Sequence, residues 1–180
     1  MRGKAARDLG HALWQALTGR AYSTAEKATT QRKTQEMVDR WGKQGTAQKL
    51  GVSVRTVERY MSGQIKGPGK RNRDRFEAAH REANVKPGRA GKLRDAGTAS
   101  GPGREQAGSG GLAICGMVRV SQDRRKRWIN PGNRMTDAEA DHIINTMIQH
   151  GPDAAAADLN VIIQRYVPDM HIESIEEIDW

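Results

Sequence analysis

Apolar positions recur at helical spacing through most of the chain and at strand spacing near residues 112–120 and 170–180. Leu9, Leu13, Trp14 and Leu17 predict a short packing helix within residues 1–20, weakened by Gly10 and ended by Gly19. Ser23 to Trp41 predicts a longer helix capped by Ser23 or Thr24, with Ala25, Ala28, Met37, Val38 and Trp41 as a partial apolar face; Gly42 and Gly45 then break the chain. Lys70 to Asn84 reads as a basic helix with Phe76 and Ala79 or Ala83 inward. A further helix begins at Thr136, buries Ile143, Ile144, Met147 and Ile148, and ends at Gly151-Pro152. Another spans residues 153–166, with Asp153 as its cap and Leu159, Ile162, Ile163 and Tyr166 inward. The run LAICGMVRV (Leu112–Val120) predicts a strand with Gly116 as a bulge. Met170 to Trp180, with isoleucines at 172, 175 and 178, predicts a strand paired with it.

The densest pattern is KQGTAQKLGVSVRTVERYMSGQIK, Lys43 to Lys66. Ala47 suits a close approach of two helices, and Gly51 follows where a tight turn needs positive φ. Val57 points back into a core completed by Leu50, Val52 and Tyr60, and Ser53 is a good N-cap. This spacing predicts a helix-turn-helix whose second helix presents Val54, Arg55, Thr56, Glu58 and Arg59 to a major groove, with Ser53 at its start also among the expected DNA-binding residues. The plainer alternative is a helical hairpin with solvated arginines.

Composition narrows the picture. Hydrophobic residues make up 36%, there is one phenylalanine, and there are 20 glycines, which favours small helical modules over one large core. The net charge is +9, so an anionic partner is expected. That charge is segregated: residues 1–94 carry 22 Lys/Arg against 8 Asp/Glu, residues 95–135 carry 7 against 3, and residues 136–180 carry only Arg165 against 10. A basic N-terminal body beside an acidic C-terminal segment points to nucleic acid at one end. Residues 86–111, rich in Gly, Ala, Pro and Ser, read as a linker between a helix-turn-helix domain at 1–85 and a small α+β domain at 112–180. The expected fold is mainly α with a small α+β C-terminal part.

Cys115 is the only cysteine, and no Cys/His set has zinc spacing. No apolar run reaches membrane-spanning length and no signal peptide is visible, so the expected location is cytoplasmic, at the nucleoid. The glycines form neither a strand-linked GxGxxG nor a Walker pattern.

Beyond the second helix of the motif, Lys66, Lys70, Arg71 and Arg73 extend the basic surface and suit phosphate contacts rather than base reading. Arg124, Arg125, Lys126 and Arg127 lie beside Trp128. They read either as an exposed basic sheet edge or as a patch for single-stranded nucleic acid with an indole to stack on a base. Thr136 is a strong N-cap, with Asp137 and Glu139 in the first turn and Glu139 completing a capping box.

The stretch LGVSVRTVERY followed by QIK and a basic segment resembles the terminal proteins of Streptomyces-type linear chromosomes and plasmids. The Gly-Gly run entering an apolar strand, the Gly-x-x-x-Thr-Asp turn into a helix, and the acidic end in Ile-Asp-aromatic are similar too, so the resemblance spans roughly residues 40–180. It implies a protein that binds telomeric DNA and is joined covalently to the 5′ end through a threonine hydroxyl, which then primes replication. The matching pair here is Thr136-Asp137, after Gly132-Asn133-Arg134-Met135; the family pattern has a Thr-Thr-Asp run closer to the glycine. On this resemblance the chain is a protein primer and nucleotide acceptor rather than an enzyme. It has no cofactor of its own, and Mg2+ and dNTP come with a DNA polymerase. Its partners are a telomeric single-stranded overhang or folded end, a telomere-associated protein, the polymerase and a second copy in a homodimer. The alternative from a different class is a helix-turn-helix regulator of transcription or plasmid copy number, which needs neither Thr136 nor the 124–127 cluster.

Overall fold

The computed structural model describes residues 4–89, 113–129, 131, 135–166 and 168–179. The fold is mainly helical, with a small three-stranded antiparallel sheet and helices in the C-terminal part. Of the expected linker at 86–111, residues 90–111 lie outside the described residues, as does most of the Asn130–Asn133 turn. The first residue of that linker is instead tied to the N-terminal helix, the Lys86 N–H donating to the Leu17 carbonyl at 3.1 Å.

Helix α1 (Lys4–Thr18) is followed by a short α2 (Tyr22–Glu26) and a long α3 (Thr30–Leu50). The single helix expected from Ser23 is therefore two. The chain leaves α2 at Lys27, and α3 begins after Thr29, whose hydroxyl accepts a hydrogen bond from the Arg32 N–H. Two β-branched hydroxyl residues in a row, Thr29 and Thr30, favour a new cap over continuation. Within α3, Gly42 adopts φ 70°, ψ 170°, a conformation almost confined to glycine, and divides the helix into 30–41 and 43–50. Gly45, expected to break the chain as well, is helical.

Gly51 closes α3 with φ 65°, and α4 (Val54–Met61) follows, capped by the Ser53 hydroxyl accepting from Thr56 N–H at 3.2 Å. One turn of 3-10 helix (Lys70–Asn72) leads into α5 (Arg73–Asn84). Met37, Leu50, Tyr60, Phe76 and Ala79 form a compact core between α3, α4 and α5, with Tyr60 and Phe76 edge to face at 5.6 Å.

The sheet has the order β2-β1-β3, with β1 (Ala113–Val120), β2 (Asp123–Ile129) and β3 (Met170–Asp179) all antiparallel. The β1–β3 register shifts on either side of Gly116 and Met117. A Cβ on Gly116 would sit 2.0 Å from the Ser174 carbonyl oxygen, which is why this strand carries a glycine there. Between β2 and β3 run α6 (Asp137–His150) and α7 (Pro152–Tyr166). Asp153, expected to cap α7, lies inside its first turn, because Pro152 takes the first helical position.

The expected boundary at 85 groups α1 with α3 and α4. Its buried residues Leu9, Leu13, Trp14 and Leu17 instead share a second core with Ile114, Val118, Ile143, Leu159 and Ile172, so both ends of the chain build one core. Helix α5 joins the two cores. Its Arg81 donates to the carbonyls of Ile148 and Gln149 at the end of α6, at 2.6 and 2.7 Å. Just beyond α5, Arg89 donates to the Ala16 carbonyl at 2.9 Å.

Candidate functional site

Helix α4 buries Val57 and Tyr60 and exposes Val54, Arg55, Glu58 and Arg59. With eight residues it presents little more than two turns, so one face packs and the other is open. Val54 is 36% exposed, enough to meet a partner surface. Glu58 pairs with Lys43 at 2.9 Å, which reduces the negative charge on this otherwise cationic face. Ser53 and Thr56, placed among the DNA-contacting residues by the sequence, are occupied with each other: the Ser53 hydroxyl caps the Thr56 N–H and the two hydroxyls lie 3.0 Å apart.

Around α4, Lys66, Lys70, Arg71 and Arg73 are all exposed. The Lys66 carbonyl accepts from the Thr30 hydroxyl at 2.8 Å, tying the segment after α4 to the start of α3. Arg73 lines an open cleft of about 810 Å³ with Lys49, Arg75, Arg81 and His150. Two of these arginines serve the fold: Arg75 holds the carbonyls at the end of α3 and Arg81 those at the end of α6. Burial pulls the Arg81 guanidinium below the usual arginine range.

The basic cluster 124–127 lies on the edge strand β2, and each of its members meets a carboxylate. Arg124 reaches across β1 to Glu173 at 2.5 Å, and Lys126 to Glu176 at 2.5 Å. Glu173 also meets Arg119, which stands directly opposite Arg124, so one carboxylate separates two guanidiniums. Arg125 and Arg127 both close on Asp123 at 2.6 Å. Hydrogen bonding from Arg125 and Arg127 holds Asp123, and from Arg124 holds Glu173, below the ordinary carboxylate range. Trp128 is 38% exposed, with Cys115 as its cross-strand neighbour.

Thr136 is exposed at the N-terminus of α6 and completes the capping box. Its backbone N–H donates to Glu139 Oε2 at 2.9 Å, its hydroxyl lies 3.1 Å from the same oxygen, and it accepts from the Glu139 N–H at 3.2 Å. The other oxygen of Glu139 is held by Arg165 of α7. Glu139 and Arg165 line a cleft of about 250 Å³ together with His142 and Asp158, themselves 2.9 Å apart. The Arg165 contact was not singled out in the sequence; the signal for it is that Arg165 is the lone Lys/Arg after residue 135.

A second polar group, also missed by sequence reasoning, joins α3 and α5. His80 is buried with Nε2 2.8 Å from Glu36, which also meets Arg20 at 2.9 Å and Asn84 at 3.3 Å. Lys33, buried, pairs with both oxygens of Glu77. Burial pushes the His80 pKa below its ordinary value. Burial alone would raise that of Glu36, and the hydrogen bonds from His80 and Asn84 and the charge of Arg20 bring it down instead.

Among the described residues no group of three or more His, Cys, Asp or Glu is placed to hold a metal ion, and no helix is long and apolar enough to cross a membrane. The chain matches no protein-family model, no curated protein and no solved structure.

Proposed function

We propose that this chain is a DNA-binding terminal protein of linear replicons. It binds telomeric DNA through a helix-turn-helix formed by residues 43–61, accepts the first deoxynucleotide on the Thr136 hydroxyl, and so caps and primes the 5′ end. Helix α4 is the reading helix, with Arg55 and Arg59 toward base edges and Lys66, Lys70, Arg71 and Arg73 toward phosphates. The chain is a primer and substrate. A DNA polymerase supplies the dNTP and the Mg2+ ions that make an alcohol a competent nucleophile.

The observation that carries the reading is the exposed Thr136 hydroxyl at the N-terminus of α6, beside the Glu139 carboxylate that Arg165 holds from its other oxygen, in a chain that also exposes two arginines on a short helix after a glycine turn. The helix N-terminus favours a phosphate at the same place. Labelled dNTP, a telomeric template and a host extract containing the polymerase test it. Wild type should take up label and Thr136→Ala should not. Uptake by both would place the acceptor elsewhere, with Ser121 the next exposed hydroxyl to try.

One observation favours the regulator as a second reading. The 124–127 cluster, which a terminal protein would turn to single-stranded DNA, is ion-paired within the chain. A regulator would bind a two-fold symmetric duplex as a dimer, with half-sites about one helical turn apart. Stronger binding to such a duplex than to a telomeric overhang would select it.

A further inference from the structure

Building on the reading of Thr136 as the acceptor, we propose that Glu139 takes the Thr136 hydroxyl proton during deoxynucleotide transfer, and that Arg165 is the positioning residue that aims its carboxylate.

The geometry exceeds what a helix cap requires. A capping box needs one carboxylate oxygen on the N-cap N–H, and Glu139 Oε2 fills that need at 2.9 Å from Thr136 N. The same oxygen lies 3.1 Å from Thr136 Oγ1, within reach for proton transfer. The second oxygen is held by Arg165, 26 residues on in the neighbouring helix. A carboxylate fixed at both oxygens cannot rotate away from the hydroxyl. Asp158, the other carboxylate of the cleft, is engaged by the Thr146 hydroxyl at 2.7 Å and by His142 at 2.9 Å. Glu139 is thus the carboxylate directed at Thr136. The charged and titratable groups around it among the described residues are Asp137, Asp141 and His142 on its own helix and Asp158 and Arg165 on α7. The cleft is otherwise lined by Ala138, Ile162 and the exposed Val161.

The step balances as follows. Thr136 Oγ1 attacks the α-phosphorus of a deoxynucleoside triphosphate and the Oγ1–P bond forms. The bond from the α-phosphorus to the bridging oxygen breaks, and pyrophosphate leaves with the electron pair. The hydroxyl proton passes to Glu139 Oε2 and from there to water.

Transfer rates on the full chain, measured against pH with labelled dNTP, telomeric template and polymerase-containing extract, test this. Glu139→Gln keeps the cap, because glutamine serves the same box. It should melt like wild type, transfer on the order of 100- to 1000-fold more slowly, and lose the acid limb of the pH profile. Arg165→Gln leaves the cap untouched. It should slow transfer less and move the acid limb to higher pH, because the guanidinium that favours the ionised carboxylate is gone; Arg165→Lys should restore part of both. Wild-type rates and profiles in Glu139→Gln and Arg165→Gln, with Thr136→Ala unlabelled, would overturn the proposal and leave Thr136 as acceptor. A slowed Glu139→Gln that keeps the wild-type acid limb would assign Glu139 to the cap alone and overturn it too. Label on Thr136→Ala, or none on wild type in an extract that labels a known terminal protein, would overturn the acceptor reading and this proposal together.

Discussion

Arg75 packs its guanidinium over Gly51: a Cβ added to that glycine would lie 2.4 Å from Arg75 Nη1. The same guanidinium donates to the Lys49 carbonyl at 2.7 Å and the Gln48 carbonyl at 3.2 Å, closing the end of α3 just before the turn. Glycine is required here twice, for φ 65° and for the space.

Gly51→Ala should destabilise the chain by about 1–3 kcal/mol, from left-handed backbone strain and displacement of Arg75. Arg75→Ala should cost about 1–2 kcal/mol through its two carbonyl bonds. The double variant should cost less than the sum, because the glycine clash disappears with the arginine. Urea denaturation of the four proteins measures this, and strict additivity would mean that the two residues do not interact.

Gly116→Ala should be more damaging, at about 3 kcal/mol, the upper end of overpacking costs. The obstacle is the Ser174 backbone, which cannot swing aside as a side chain can. Helical content by circular dichroism should be largely kept while the thermal midpoint falls.

Acid should weaken the joint between α3 and α5. The folded pKa of His80 lies below its ordinary 6.5, so the unfolded chain takes the proton first as pH falls. Its share of stability is complete above 6.5 and is lost as pH drops through the folded value. Glu36, lowered from 4.5, acts in the same direction in a more acid window. Urea midpoints should therefore decline on going below pH 6.5, and His80→Gln should flatten that decline. A slope unchanged by the substitution would place the titration on another group.

Glu173 and Glu176 hold Arg124 and Lys126 away from an external anion. Glu173→Gln with Glu176→Gln should raise DNA affinity and steepen the dependence of log Kd on log salt, by up to about 0.9 for each cation that gains a phosphate. Arg55→Ala or Arg59→Ala should instead cost roughly 1–3 kcal/mol and relax base preference. Fluorescence anisotropy from 50 to 300 mM salt, with about 0.9 as the expected step per phosphate, separates the two. An unmoved slope in the double glutamine variant would remove this sheet face from the DNA.

Several features were legible because their interactions are local. Ser53 caps a residue three positions on, Thr136 forms its box with Glu139, and Gly51 sets a single dihedral. The apolar periods of α6, α7, β1 and β3 likewise declare element type before any partner is known. The start of α3 was harder to read, because Ser23, Thr24 and Thr29 are all good caps and only the bend between α2 and α3 selects Thr29.

The sequence by itself determined β1, β3, most of the helices, the glycine turn and the exposed face of α4, since each shows in a pattern of residues a few positions apart. Strand β2 and the division of 23–41 into α2 and α3 emerged only in the fold. Only the tertiary structure decided which charges remain open and which are spent inside the fold. Arg75, Arg81 and Arg124 looked alike as surface cations, yet their partners lie 26, 67 and 49 residues away. Whether an arginine meets a carbonyl, a carboxylate or solvent is set by which elements pack side by side, and the same packing brings α1 onto α7 and Arg165 onto Glu139.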